Sequence, residues 1–303
     1  MALERLVIGT RGSALALRQT AIVAAALQEL RPGLVIETRP LRTEGDERPD
    51  VSLAAIGGEG VFVKAIERAL LAGSIDLAVH SLKDMPATLP DGLTIGAVPA
   101  RGDIRDALVG HGGATLADLP TAARVGTDSR RRAVQLVALR PDLRPVSLRG
   151  NVETRLSKAE TGALDAVVLA AAGLERLGLP ARATQIFEPN EMLPAVGQGA
   201  LAAETRAGDT EINDLLRGID DQATRVAVTA ERAYLRRLGA GCRLPVAAYG
   251  TVEAGQLKLR ALLADDDGRV YRDELAGATE DAETLGAALA AALQAKAGVE
   301  VTP

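Results

Sequence analysis

Several cations in this 303-residue chain stand at one kind of place, the turn that follows an apolar run. Arg11 and Ser13 follow "RLVIGT", and Lys83 and Asp84 follow "SIDLAVH". Arg130, Arg131 and Arg132 open a predicted helix behind Ser129; Arg149 ends "RPVSLRG", Arg155 lies one turn into the next predicted helix, and Arg176 follows "LAAAGLE". In an α/β sheet this is the edge where helix N-termini already favour anions. Positive side chains in a first helical turn oppose the helix dipole, so three arginines behind Ser129 make best sense around an anion. A solvated face is the alternative for any one of them, and Arg130 suits it, since three successive helical residues cannot all point one way. Guanidinium groups grip carboxylates through two parallel bonds. There is no GxxxxGK[ST] loop, and "GGEG" (57–60) carries an acid where a phosphate cradle wants none. Scattered arginine pairs suit several separate carboxylates better than one phosphate chain.

Sulfur supplies the second chemical singularity. Cys242 is the only cysteine and sits in the glycine-flanked stretch "RRLGAGCRLPVAAYG" between a predicted helix and a predicted strand. A lone cysteine excludes an internal disulfide framework and a cysteine–histidine zinc site. It reads as a small buried hydrophobe or as a reactive thiol, and a glycine-rich turn favours the second. A nucleophilic thiol needs a base, yet His80 and His111 both lie far away in sequence and no Cys–His signature exists. Asp84 alone reads as a turn acid beside Lys83 or as a group able to move protons.

The elements that must position these groups alternate. "RLVIGT", "LVIETRPL" and "SIDLAVH" read as strands; "SALALRQTAIVAAALQELRPG", with Ser13 as cap, and "VFVKAIERALLAG" read as helices. This is the βαβ rhythm of a mostly parallel sheet. It repeats with strands "ARVGT", "RPVSLRG" and "LDAVVLA" and helices "SRRRAVQLVALRP" and "NVETRLSKAETG". "VIGTRGSALAL" echoes "RVGTDSRRRAV", and "GSIDLAVHS" echoes "GALDAVVLA", in the same order. The echoes predict two similar α/β lobes, with strand ends and helix N-termini lining a cleft. "LPAVGQGALAAET" (193–205) is expected to cross back to the first lobe. After about residue 217 a helix, three strands and a closing helix predict a small antiparallel α+β domain. The expected domains are 1–99 with 200–216, 100–199, and 217–303, the last carrying Cys242.

Composition narrows the classes. The chain is 47% hydrophobic and 25% charged, with a formal net charge of -5, which argues against a general nucleic-acid or membrane-surface binder. Aromatic residues are 2% with no tryptophan, so base stacking is not expected. Lysine occurs only at Lys64, Lys83, Lys158, Lys258 and Lys296, and every other basic residue is arginine. The start "MALERLVIGTRGS" is charged at once, and no apolar run approaches the ~18 residues of a membrane span. A soluble cytoplasmic protein without signal peptide is the expectation.

"HSLKDMP" (80–86), "GTDSRRR" (126–132), "SLRGNVETRL" (147–156), "LPAVGQGA" (193–200) and "GCRLPVAAY" (241–249) together resemble the hydroxymethylbilane synthase family, also called porphobilinogen deaminases. The match covers essentially the whole chain in order, and five motifs in order are far more specific than any one. The resemblance implies a transferase of porphyrin (haem, chlorophyll or corrin) biosynthesis. Such enzymes join four porphobilinogens head to tail, losing ammonia each time, and release the linear tetrapyrrole hydroxymethylbilane. They carry a dipyrromethane cofactor bound by thioether to one cysteine, which Cys242 matches. The resemblance implies that Lys83, Thr127, Ser129, Arg131, Arg132 and Arg155 hold the cofactor's acid groups. Arg11, Ser13, Phe62, Arg149, Arg155, Arg176 and Gln198 would hold substrate or the growing chain, and Asp84 would be the catalytic group. It also implies two periplasmic-binding-protein-like α/β lobes plus the small C-terminal α+β domain, no metal, no nucleic-acid or membrane partner, and a monomer.

The chain departs from the family pattern in places. Ala55 and Glu59 stand where lysines are common, and Glu59 is expected to repel an anionic substrate unless the loop points outward. Asp128 and Arg130 stand where Ser and Leu are usual, and "CRLP" replaces Cys-Gln-Val-Pro. Asp128 is expected either to cost a cofactor hydrogen bond or to pair with an arginine. Two rivals follow from the residues alone: a two-lobed, non-catalytic carboxylate binder, and a hydrolase or transferase with Cys242 as nucleophile.

Overall fold

The computed structural model describes residues 3–42, 63–239 and 244–298. In chain order its elements are β1 (Arg5–Arg11), α1 (Ala14–Leu30), β2 (Val35–Leu41), α2 (Lys64–Leu71), β3 (Leu77–Ser81), β4 (Leu93–Ala97), β5 (Asp106–Gly110), β6 (Arg124–Gly126), α3 (Arg130–Leu139) and β7 (Arg144–Val146). There follow α4 (Val152–Glu160), β8 (Ala166–Ala170), α5 (Ala171–Arg176), β9 (Gln185–Phe187), β10 (Leu201–Arg206), α6 (Thr210–Leu216), α7 (Gln222–Arg237), β11 (Val246–Glu253), β12 (Gln256–Ala264), β13 (Val270–Ala278) and α8 (Ala282–Ala297). They fall into two units, Met1–Gly102 with Ala200–Arg225, and Asp103–Gly199 with Val226–Pro303.

The first unit is a five-stranded sheet in the order β2-β1-β3-β10-β4. Strands β2, β1 and β3 are parallel, as the βαβ rhythm predicts, but β10 runs antiparallel to both β3 and β4. The sheet is therefore mixed, with four of its five strands running one way and β10 alone the other. Leu201 at the start of β10 pairs with Ser81 at the end of β3, so β10 enters at the edge where β3 leaves and runs the opposite way. Leu6, Ile8, Leu77, Val79, Leu201 and Ala203 pack on Val23 and Leu27 of α1 and on Ile212 and Leu216 of α6. Ile66 and Leu70 of α2 cover the other face with Ile75, Ala78 and Leu93. Burying each large aliphatic side chain contributes about 1.5–3 kcal/mol, so two covered faces suffice to hold the sheet.

The second unit contains a sheet of the same design, β7-β6-β8-β5-β9, with β7, β6 and β8 parallel and β5 antiparallel to β8 and β9. The sequence echoes have matching bonds. Asp76 accepts from the amide of Val7 at 2.9 Å, and Asp165 accepts from the amide of Arg124 at 2.7 Å. Gly9 leaves room for Ile75, and Gly126 for Leu164: a Cβ would come within 2.3 Å and 2.6 Å of those side chains. Each lobe so presses the residue before its aspartate onto the glycine of its first parallel strand. The expected strand "RPVSLRG" is ordered as β7 only over Arg144–Val146, which leaves Arg149 in the following loop. A third sheet, β11-β12-β13, is wholly antiparallel. It buries Leu257, Leu259 and Leu263 against Tyr234 of α7 and Leu289 and Leu293 of α8. Glu231 of α7, fully buried, accepts from the amides of Gly197 at 2.7 Å and Gly250 at 2.9 Å. It thereby ties this small sheet to the segment before β10.

Candidate functional site

In the first unit the candidate groups lie where the parallel strands end. Ser13 caps α1, its hydroxyl accepting from the amide of Ala16 at 3.3 Å, and half-buried Arg11 ends β1 just before it. β3 gives way to a single tight turn, Leu82–Asp84, closed by the Met85 amide donating to the Leu82 carbonyl at 3.1 Å. Leu82 and Met85 are buried, whereas Lys83 and Asp84 are exposed. The three-residue repeat of the turn puts Leu82 and Met85 inward and the two charged side chains between them outward. The Leu82 amide donates to the Ala200 carbonyl at 3.0 Å, and Ser81 exchanges hydrogen bonds with Gln19 of α1 at 2.8 and 3.2 Å.

In the second unit the groups again lie at the ends of the parallel strands. Ser129 caps α3, accepting from the Arg132 amide at 3.4 Å, and buried Thr127 accepts from the Ser129 amide at 3.2 Å. Of the three arginines behind the cap, Arg130 is exposed while Arg131 and Arg132 are buried. An anion does lie among them, and it belongs to the chain itself. Asp106 Oδ2 accepts from Arg131 Nη1 at 2.7 Å, and Oδ1 accepts from Arg132 Nε and Nη2 at 2.9 and 2.7 Å and from Gln198 Nε2 at 3.0 Å. β5 runs antiparallel to β8 with Asp106 opposite Ala170, so the first residue of β5 reaches the edge that α3 occupies. Burial works to raise the pKa of Asp106, but the two guanidiniums outweigh it and hold the carboxyl well below the usual carboxylate range. Nothing in "GDIRDALVG" marked Asp106 as a site residue, because its partners come from segments 25 or more residues away.

The remaining arginines are spread around this edge. Arg176 at the end of α5 donates to the Gly199 carbonyl at 2.6 Å, and burial lowers its pKa, so an arriving anion would restore solvation it has lost. Arg155 of α4 donates from Nε to the Gly150 carbonyl at 2.9 Å; Gly150 has φ 106, a left-handed turn that favours glycine. Asp128 accepts from the Ser147 hydroxyl at 2.6 Å and stands 3.8 Å from Arg149 Nε. Of the two expectations for Asp128, pairing with an arginine is the one the geometry shows. Gln198 is fully buried and also donates to the Ile104 carbonyl at 2.8 Å, so its amide nitrogen is occupied by protein acceptors. Phe62, Cys242, Ala55 and Glu59 lie outside the described residues. Among the described residues no cluster of His, Cys, Asp and Glu could hold a metal ion, and no helix is long and apolar enough to cross a membrane.

Comparison with known proteins decides what this arrangement serves. Residues 6–214 match the family model described as porphobilinogen deaminase, dipyromethane cofactor binding domain, and residues 225–295 match the porphobilinogen deaminase C-terminal domain. The chain belongs to the porphobilinogen deaminase family. It is 53% identical over 287 residues to the porphobilinogen deaminase of Roseiflexus sp. (strain RS-1), covering 95% of each chain. It is 50% identical over 294 residues to that of Sorangium cellulosum (strain So ce56), covering 95% of this chain and 98% of the relative. Among solved structures, the methionine binding protein MetQ overlays 71% of this chain and 88% of its own at a TM-score of 0.45 and 12% identity. As a porphobilinogen deaminase the chain is a transferase that condenses four porphobilinogens head to tail, with loss of ammonia, into hydroxymethylbilane in tetrapyrrole biosynthesis. Its cofactor is dipyrromethane, held in this family through a cysteine. Membership overturns both rivals, the non-catalytic carboxylate binder and the cysteine hydrolase.

The donor set fits a cofactor that carries carboxylates. Two buried guanidiniums face one aspartate, which leaves one buried positive charge in excess at the head of α3. Arg131 Nε is buried without a hydrogen-bond partner among the described residues. A buried, unpaired N–H costs about 1–3 kcal/mol, so an acid group arriving there is stabilised by satisfying it.

Proposed function

We propose that Asp84 is the catalytic group of the condensation, and that the cations at the two sheet edges hold the acid side chains of cofactor and substrate. The observation that carries this is the turn Leu82–Asp84, whose buried Leu82 and Met85 anchor an outward-facing carboxylate at the end of a parallel strand. Loss of ammonia from porphobilinogen leaves a cation spread over the pyrrole ring. A carboxylate that accepts the pyrrole N–H stabilises that charge as it develops, and the same oxygens can take and return protons.

Each porphobilinogen adds an acetate and a propionate, so the bound acid grows with every addition. When bound, the dipyrromethane supplies the ring carbon to which the chain is added. Arg131, Arg132, Arg155, Lys83, Thr127 and Ser129 hold its acid groups, and Cys242 anchors it. Arg11, Ser13, Phe62, Arg149, Arg155, Arg176 and Gln198 hold substrate or the growing chain. For Gln198 this role runs with its amide nitrogen already given to Asp106 and Ile104. We read the working protein as a cytoplasmic monomer with domains 1–99 plus 200–216, 100–199 and 217–303.

Asp84→Asn tests the assignment. It keeps size and hydrogen bonding but removes the charge. Intact mass should still show the attached cofactor, while ammonia release falls at least about 100-fold, the scale of a lost electrostatic donor or acceptor. Near-normal turnover would remove Asp84 from the mechanism.

A further inference from the structure

Beneath the turn that carries Lys83 and Asp84 lies a buried polar cluster to which the mechanism gives no task. His80 of β3 pairs in register with Ala202, and Glu204 of β10 with Ala78, so both side chains stand on one face of the ladder. Imidazole Nε2 lies 2.9 Å from Glu204 Oε2. Glu67 of α2 is buried on the same side of the sheet, and all three residues are at most 6% exposed. Glu204 Oε1 and Glu67 Oε1 have no hydrogen-bond partner among the described residues. Burying ionisable groups like these is costly, whereas aliphatic side chains of similar size would stabilise the same space. Packing alone does not explain them.

We propose that His80 and Glu204 are positioning residues that fix the direction in which the end of β3 presents Asp84, an inference resting on the catalytic assignment of Asp84 made above. The end of β3 is held on both faces. Ser81 bonds to Gln19 of α1 at 2.8 Å on one side, and His80 bonds to Glu204 on the other. The Leu82 amide joins the Ala200 carbonyl at 3.0 Å just beyond. Ladder bonds alone leave a strand end free to fray and to roll about its axis. Apolar packing would resist separation but not roll, because it has no preferred direction, whereas a hydrogen bond weakens steeply away from its axis. Asp84 comes four residues after His80, so roll at His80 swings the carboxylate. A misplacement of ~1 Å can cost ~100-fold in rate.

The test uses the full-length, cofactor-loaded protein, with steady-state turnover, intact mass and thermal unfolding measured together. Glu204→Gln keeps the shape and removes the charge; His80→Leu removes the bond; His80→Gln keeps an N–H near the position of the imidazole Nε2. His80→Leu should lower kcat about tenfold or more, and Glu204→Gln, which keeps an acceptor oxygen but weakens the bond, by a smaller factor; both should leave KM within about twofold and retain the cofactor mass. His80→Gln should recover at least about threefold over His80→Leu, which a simple loss of packing would not produce. If Glu204→Gln does not fold, the comparison of the two His80 variants decides alone. Unchanged kcat, a rise in KM without a fall in kcat, or no difference between His80→Gln and His80→Leu would overturn the proposal. Asp84→Asn is the control: if it keeps turnover, the catalytic assignment itself has failed. If Asp84→Asn loses turnover and His80→Leu does not, only the positioning role has failed.

Discussion

Two aspartates in this chain serve opposite ends. Asp84 is held out into solvent, while Asp106 is spent inside, on the guanidiniums of Arg131 and Arg132. Removing one partner of a buried ion pair leaves the other charge uncompensated. Asp106→Asn is therefore expected to destabilise the second unit by about 3–5 kcal/mol, read from the midpoint of urea unfolding. The pH dependence follows from the lowered pKa: the stability Asp106 contributes is present above its ordinary value of 3.8 and is lost only as pH falls through the lower folded value. Asp128 is the milder case. Its pairing with Arg149 is partly exposed, and such pairs contribute up to about 1 kcal/mol. Asp128→Ser should lower KM for porphobilinogen by no more than about fivefold, the same energy expressed as a ratio; a rise in KM would show that the aspartate helps rather than competes.

At the scale of elements, caps were legible because their partners are close in sequence, and echoes because each repeats a local pattern along the chain. Ser13, Ser129 and Asn151 each bond an amide three residues on, a contact that composition and spacing announce. Strands β4, β5 and β9 were not legible, since short strands with distant partners carry no local signal, and the antiparallel entry of β10 depends on which edge the returning chain reaches. Helix α2 carries a pH signature of its own. Burial first, and then the charge of Glu204, raise the Glu67 pKa above its ordinary 4.5, against His80 and Lys64, which lower it. Arg206 of β10 is nearby, bonded to the Leu70 and Ile75 carbonyls, and β4 brings no titratable side chain. The folded protein so binds more protons than the unfolded one, and stability falls as pH rises from about 4.5 toward the folded value. Glu67→Gln should raise Tm relative to the parent at pH 8, by about 2–4 °C per kcal/mol removed, with the advantage shrinking toward pH 4.5. An advantage that does not change with pH would mean that Glu67 keeps an ordinary pKa.

At the scale of the molecule, the expected product is a protein that carries part of its own pathway. Expressed in a host that makes porphobilinogen, it should show an intact mass in excess by two pyrrole units and colour with Ehrlich's reagent, and Cys242→Ser should lose both. Sedimentation should give a single species near the chain's 31.4 kDa; a stable dimer would refute the monomer reading. The amino-acid order alone determined the family, the repeated α/β rhythm, the helix caps and the edge at which the cations collect, because motifs and periodicity are properties of neighbours along the chain. Only the tertiary structure decided which cations face an anion the chain supplies itself, and that His80 meets Glu204 behind the Asp84 turn. Those pairings join residues up to 124 apart, and their energies arise from burial, which a linear pattern does not encode.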